Sequence, residues 1–268
     1  MILDSKYDFL KPFIVEKLVR LGRKFDGGYL VCDTALKEID SLVTFGVGDD
    51  ISFEMDLEKR NSLKNIQMYD YTVNHLLFLK IIIKYIRRLI TFRTKLENLT
   101  YSINNYINFI KFNAKPNVNL FKKRIVEKKE KKFDITLDEI LNQINSEKNL
   151  LKLDIEGGEY SLINSINQNH FKIKMLIIEF HLIREKKDLF IKSVKKLISN
   201  FDIVHIHANN YFELKEEDDF FEVCEITFVN KKINKHREKQ RYNFPLNDLD
   251  FECFPDRKKI KFSFKERT

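Results

Sequence analysis

A recurring pattern constrains this chain of 268 residues more than any other feature: short, almost continuous apolar runs, most of them closing on a glycine, an acid or a histidine. The runs lie at 42–45, 66–70, 150–154, 175–181, 201–207 and 223–229, and stretches with helical pattern separate most of them. A strand that is apolar on both sides must be covered on both sides, so the pattern predicts an α/β fold, a mostly parallel sheet with helices on both faces. Hydrophobic residues make up 43% of the chain and there are 24 Phe, enough for a sizeable core and inconsistent with disorder. The length suits one domain with an elaboration.

The residues that close each run carry the chemistry. The first run ends in Phe45-Gly46-Val47-Gly48, and 52–60 reads as a helix, giving strand, glycine turn, helix. The second ends in Asp70, 22 residues after Gly48, where nucleotide-binding α/β folds place an acid that accepts hydrogen bonds from ribose hydroxyls. The turn lacks the third glycine of a dinucleotide site, and Asp49 and Asp50 after it would repel a pyrophosphate. They suit the sulfonium and ammonium groups of S-adenosylmethionine instead.

Asp154-Ile155-Glu156-Gly157-Gly158-Glu159 places two glycines among three acids at a strand's carboxyl end, where open α/β sheets bind ligands. Glu179 and His181 are two apart, hence on one face of a strand, and His205 and His207 repeat that spacing on the next. Asp154, Glu179, His181 and His207 are therefore expected to converge above the sheet. A histidine there can take a proton from a hydroxyl, and Asp154, Glu179 and His181 can hold a divalent metal. His181 is the first choice for the base and His207 the second, with Asp154 or Glu179 orienting it.

The rhythm breaks between 74 and 132, a stretch without glycine punctuation that reads as a mainly helical insertion. Within it Lys80, Lys84, Arg87 and Arg88 recur at helical spacing beside an Ile- and Leu-rich stripe, the pattern of a helix covering the core or of one touching an anionic partner or membrane. Thr136 and Glu139 have capping-box spacing. The last two runs are expected to pair antiparallel at the sheet edge, and 231–268 to form a basic surface tail. Lys and Arg exceed Asp and Glu by eight, favouring an anionic partner. Cys32, Cys224 and Cys253 are too far apart for a zinc knuckle or a disulfide framework, and neither a leader pattern nor a membrane span is evident. These features point to a cytoplasmic protein. Scattered basic residues, and no motif for presenting a flipped base, disfavour nucleic acid.

Together these residues resemble the FkbM family of methyltransferases. The similarity rests on Phe45-Gly46-Val47-Gly48, on 136–141, on the segment from Lys152 to Glu159, and on Ile178-Glu179-Phe180-His181. It spans roughly 20–70 and 133–230. The resemblance implies a Rossmann-like class I methyltransferase with a seven-stranded sheet and S-adenosylmethionine as methyl donor. Phe45, Gly46, Gly48, Asp49 and Asp70 would line the cofactor, with Asp154 and Glu156 where cofactor and acceptor meet. It further implies O-methylation of a small-molecule hydroxyl, here a nucleotide-activated or glycan-linked sugar of surface polysaccharide synthesis. The competing readings are a silent nucleotide-binding module docked on an anionic surface and a nucleic-acid methyltransferase.

Overall fold

The computed structural model describes residues 1–265 apart from 216, 236, 238 and 239, so six positions of the expected tail at 231–268 lie outside the described residues. Seven strands form the main sheet: β1 Ser41–Phe45, β2 Asn65–Tyr69, β3 Val118–Phe121, β4 Asn149–Leu153, β5 Ile173–Phe180, β6 Phe201–Ala208 and β7 Cys224–Asn230. Their order is β3-β2-β1-β4-β5-β7-β6. All run parallel except β7, which lies antiparallel between β5 and β6. The chain therefore winds outward in both directions from β1 and β4, and the crevice at their carboxyl ends is where such sheets bind ligands.

The longer α-helices are α1 Ser52–Arg60, α2 His75–Ile90, α3 Leu96–Asn113, α4 Leu137–Gln143, α5 Glu159–Gln168 and α6 Lys187–Leu197. Both hydrogen bonds of the expected capping box, between Thr136 and Glu139, start α4. Between 74 and 132 the chain forms a helical hairpin of α2 and α3 and then returns to the sheet as β3, where the sequence pattern predicts only a helical insertion. Only four residues long and with Asn119 exposed, β3 has too little apolar pattern to read as a strand.

Register explains how the sheet sorts its side chains. Phe45, Leu153, Ile178 and Ile226 are successive partners across β1, β4, β5 and β7, and all are buried in the core that α4, α5 and α6 close. Each such side chain contributes roughly 1.5–3 kcal/mol by leaving water. Because side chains alternate, the next residue in each strand turns to the opposite face. That row holds Asp154, then Glu179, Glu225 and His207, the last three again in register. The opposite face is covered by α1 and by an N-terminal hairpin of Leu18–Leu21 and Tyr29–Cys32. The Thr227 hydroxyl donates to Leu30 O at 2.7 Å and ties this hairpin to β7.

The tail is more than a surface strap. Asn243–Phe244 and Phe262–Phe264 join Ile2–Leu3 in a small sheet, and Asp250 and Cys253 are buried against the main one.

Candidate active site

The glycine turn after β1 is shaped by close backbone approach. Gly46 has φ +73°, and a Cβ there would lie 1.6 Å from Asp154 O, so no other residue fits without parting β1 from β4. Gly48 is left-handed as well, at φ +61°, but a Cβ on it would meet only open space. Asp70 organises this turn. One carboxylate oxygen accepts the N–H groups of Val47 and Gly48, both at 3.0 Å; the other accepts from the Thr72 N–H and hydroxyl and from Val73 N. The acid expected to meet ribose hydroxyls thus spends its lone pairs holding the loop, at the rim of a cavity it helps to line.

That cavity, about 590 Å³, opens at the ends of β1, β2 and β4. Gly46, Tyr69, Asp70 and Tyr71 form one side, Asp154 and Glu156 another, and the segment 123–128 a third. The donor set fits S-adenosylmethionine: the volume is that of a typical small-ligand site, Tyr71 offers an aromatic face, and two carboxylates await the cationic groups. Three expected cofactor residues do not line the cavity: Gly48 lies in the turn beyond the lining, and two others are placed elsewhere. Phe45 buries its ring in the core beside Tyr69, because it belongs to the helix-facing row. Asp49 is exposed and lines neither cavity, while Asp50 is bound to Arg23 at 2.8 Å and caps Ser52 N, so α1 starts only after both acids.

Asp154 and Glu156 also line a second cavity, of about 320 Å³, with Asp26, Glu179 and His181. These two acids are therefore the wall between the two spaces. Asn209 and the aromatic rings of Tyr211, Phe212 and Phe254 complete the second one, and among the described residues no lysine or arginine lines it.

His181 is held firmly. Its Nδ1 lies 2.8 Å from Glu159 Oε1, which already accepts the Ile155 and Gly157 N–H groups, so Nδ1 must be the protonated nitrogen. The Tyr160 hydroxyl donates to His181 O at 2.6 Å. In the neutral ring Nε2 is then a bare acceptor, 3.5 Å from Glu179 and 3.7 Å from both Asp154 and Glu156. Burial works to lower the pKa of this histidine, but the Glu159 bond and the surrounding carboxylates outweigh it and raise the value above the ordinary 6.5. Burial pushes Asp154 up to about 6, against the pull of Lys152 and His181. Burial, with the Asp154 and Glu225 carboxylates beside it, raises Glu179 well above the usual carboxylate range. Asn209 Nδ2 donates to Glu179 at 3.0 Å, and the Tyr29 hydroxyl lies 3.4 Å from both Glu179 and Asp154.

For a divalent cation the structure offers Asp154, Glu156 and His181, whose ligand atoms lie within 4.8 Å of one another; Glu156 stands where the sequence suggested Glu179.

The second histidine pair does not join this site. His205 Nε2 is 3.0 Å from Asp250, His207 Nδ1 is 3.4 Å from the same carboxylate, and the other ring nitrogen of His207 faces Cys253 Sγ at 3.7 Å. Both rings are buried under the tail and neither lines the second cavity. The expected convergence thus holds for Asp154, Glu179 and His181 and fails for His207.

Sequence reasoning placed Glu159 in an acidic loop without its bond to His181, and gave no role to Tyr29, Asp26 or the buried Lys152. The signal for Asp26 and Tyr29 was present in Asp26-Gly27-Gly28-Tyr29, a turn tight enough to aim both side chains inward. Lys152 lies 3.4 Å from Glu54, itself bonded by the Thr44 hydroxyl at 2.9 Å, and places a positive charge beneath Asp154.

The family described as methyltransferase FkbM domain matches residues 34–224. No curated protein matches the chain. Among solved structures it is similar to the fibrillarin/Nop5p complex, at 12% identity over 72% of this chain and 73% of that one, TM-score 0.38. It is similar to spermidine synthase from Thermotoga maritima, at 10% identity over 75% and 57%, TM-score 0.41. A Streptococcus pneumoniae protein solved with S-adenosyl-L-methionine gives 11% identity over 74% and 70%, TM-score 0.34. The family match over most of the chain, with the strand order of the sheet, decides the matter: the chain belongs to the FkbM methyltransferases, whose methyl donor is S-adenosylmethionine.

Proposed function

We propose that this methyltransferase acts on a sugar hydroxyl, with the donor in the larger cavity, the acceptor in the smaller one, and His181 as the base. The observation that supports this reading is that the same two residues, Asp154 and Glu156, wall both cavities, so that a hydroxyl beside His181 faces the donor across Asp154. S-adenosylmethionine, when bound, supplies a methyl group on a positively charged sulfur. Asp154 and Glu156 hold negative charge beside it. His181 receives the hydroxyl proton at Nε2 while Nδ1 keeps its bond to Glu159, which prevents the ring from turning and steadies the imidazolium that results. Positioning of this kind accounts for several kcal/mol of barrier reduction in enzymes at large.

The lining of the smaller cavity favours a neutral sugar. Asp26, Glu179 and Asn209 match hydroxyl groups, and Tyr211, Phe212 and Phe254 offer flat surfaces for the C–H face of a pyranose. A nucleotide-activated sugar would have to keep its diphosphate outside, where Arg257 lies over the Tyr211 ring at 4.7 Å. A glycan-linked residue, as in a surface polysaccharide, meets no such demand and is the preferred acceptor. The test is transfer of labelled methyl from S-adenosylmethionine to neutral glycans and to nucleotide sugars, side by side. Labelling of glycans that stops in His181→Ala supports the reading; labelling confined to nucleic acid or to amines refutes it.

A further inference from the structure

The α2–α3 hairpin carries an apolar surface that the protein itself leaves uncovered. Phe78 near the start of α2 packs on Tyr106 and Phe109 near the end of α3, so the helices run antiparallel, and Phe78, Phe109 and Phe112 anchor them to the core. On α2 the side chains of Leu76, Leu79, Ile83, Ile86 and Ile90 are all exposed. They recur at three- and four-residue spacing and form one stripe. On α3 Leu96, Ile103, Ile107 and Ile110 do the same. At 3.6 residues per turn both stripes lie roughly a quarter-turn from the seam between the helices and, because the helices are antiparallel, on the same side of it. That side faces away from the core. Exposure is greatest at the tip, where Phe92 is 97% and Ile90 71% accessible.

Such a continuous outward apolar face on a surface hairpin calls for a partner. Charge identifies it. Residues 75–113 hold seven Lys or Arg against the single acid Glu97, and Lys80, Lys84, Arg87 and Arg88 form an exposed row beside the apolar stripe of α2. The same hairpin of a second copy would bring the same seven positive charges and only Glu97 to pair with them. An anionic lipid surface accepts both features at once: the Ile and Leu side chains enter the acyl boundary while the basic row stays at the headgroups. No helix of the described residues is long and apolar enough to cross a membrane, so the contact lies in the plane of the surface.

We infer that the α2–α3 hairpin docks the enzyme on an anionic bilayer, apolar face down. This bears on the acceptor, since α3 also reaches the glycine turn, where Asn105 donates to Asp49 O and Tyr101 bonds Arg23 at 3.2 Å. Docking therefore brings the donor loop close to the lipid surface.

The test is co-sedimentation of the full chain with phosphatidylcholine vesicles, with and without phosphatidylglycerol, at low and high salt. The wild-type chain binds the vesicles containing phosphatidylglycerol, less at high salt, and binds pure phosphatidylcholine much more weakly. Reversing Lys80, Lys84, Arg87 and Arg88 to Glu weakens binding on the order of a thousandfold, and Ile83→Glu with Ile86→Glu and Ile107→Glu also weakens it, by removing apolar insertion. All these positions are exposed, and circular dichroism with urea unfolding verifies that the variants fold. Equal binding to neutral and anionic vesicles, binding that survives both sets of changes, or no binding at low salt overturns the inference. So does a concentration-dependent dimer in sedimentation velocity that the isoleucine changes break, since that assigns the face to a second copy.

Discussion

Glu179/His181 and His205/His207 look alike in sequence, each a pair of polar residues two apart at the end of an apolar run, yet the fold gives them opposite fates. His181 lines a cavity, its Nδ1 fixed by Glu159 and its Nε2 left facing the carboxylates of Asp154, Glu156 and Glu179. His205 and His207, two strands away, are sealed beneath the tail and share one carboxylate, that of Asp250. Spacing decides which face of a strand a side chain takes; the segment that later packs on that face decides whether it meets a ligand. The Asp250 side chain arrives from more than forty positions downstream of the histidines it binds, so local sequence holds no trace of the pairing.

The sharpest way to break this comparison is to remove each histidine in turn. His181→Ala is expected to lower turnover by about 10²–10⁴, the usual worth of a positioned base, while affinity for S-adenosylhomocysteine, measured by calorimetry, stays within about threefold, a factor worth about 0.7 kcal/mol. His207→Ala is expected to do the reverse in kind, leaving turnover within a similar small factor and lowering the melting temperature instead. Equal losses of turnover in the two variants would mean that the second pair also serves the reaction.

Next in size comes the clasp itself. Asp250→Ala leaves two buried imidazoles without their partner and Leu246 N without its acceptor at 2.7 Å. A loss of about 3 kcal/mol in urea unfolding is expected, as for other buried pairs broken on one side. Although burial alone would raise it, the two histidines hold the Asp250 carboxyl well below the usual range. Its contribution to stability is thus complete above the ordinary aspartate value near 4 and fades as pH falls below it. Wild-type stability should decline through that acid range, and Asp250→Asn should flatten the decline. An unchanged profile would place the clasp's strength elsewhere.

A subtler change separates the two pairs by pH. As a base His181 must be neutral, and its pKa is raised in the fold, so turnover should climb with pH on a limb lying above 6.5. Glu159→Gln keeps an acceptor oxygen for Nδ1 but removes the charge, which should move this limb down by about one pH unit, as expected for the loss of one neighbouring carboxylate. A limb that stays in place would assign it to another group, Asp154 being the nearest alternative.

Much of the scaffold is legible from residues alone because it rests on local pattern. The runs that become β1, β2, β4, β5, β6 and β7 are continuous apolar stretches, the antiparallel closing pair is expected from its position at the edge, and Thr136 with Glu139 states where α4 starts. β3 escapes notice because an edge strand of four residues with an outward Asn needs no apolar run. Within the site, Asp154 and His181 are readable from acids and histidines at strand ends. Glu159 reads as part of an acidic loop, whereas it turns back to hold His181, an act of tertiary packing. Asp70 shows a subtler difference: its spacing from Gly48 is right, but its oxygens bind the turn's own N–H groups.

The position of the reacting methyl decides whether His181 can serve as the base, and a crystal structure with S-adenosylhomocysteine, which lacks that methyl, locates the sulfur that carries it. The sulfur is predicted in the larger cavity, beside Asp154 and facing the space in front of His181. A nucleoside bound elsewhere, or a sulfur turned away from His181 with Asp154 not between them, would contradict it.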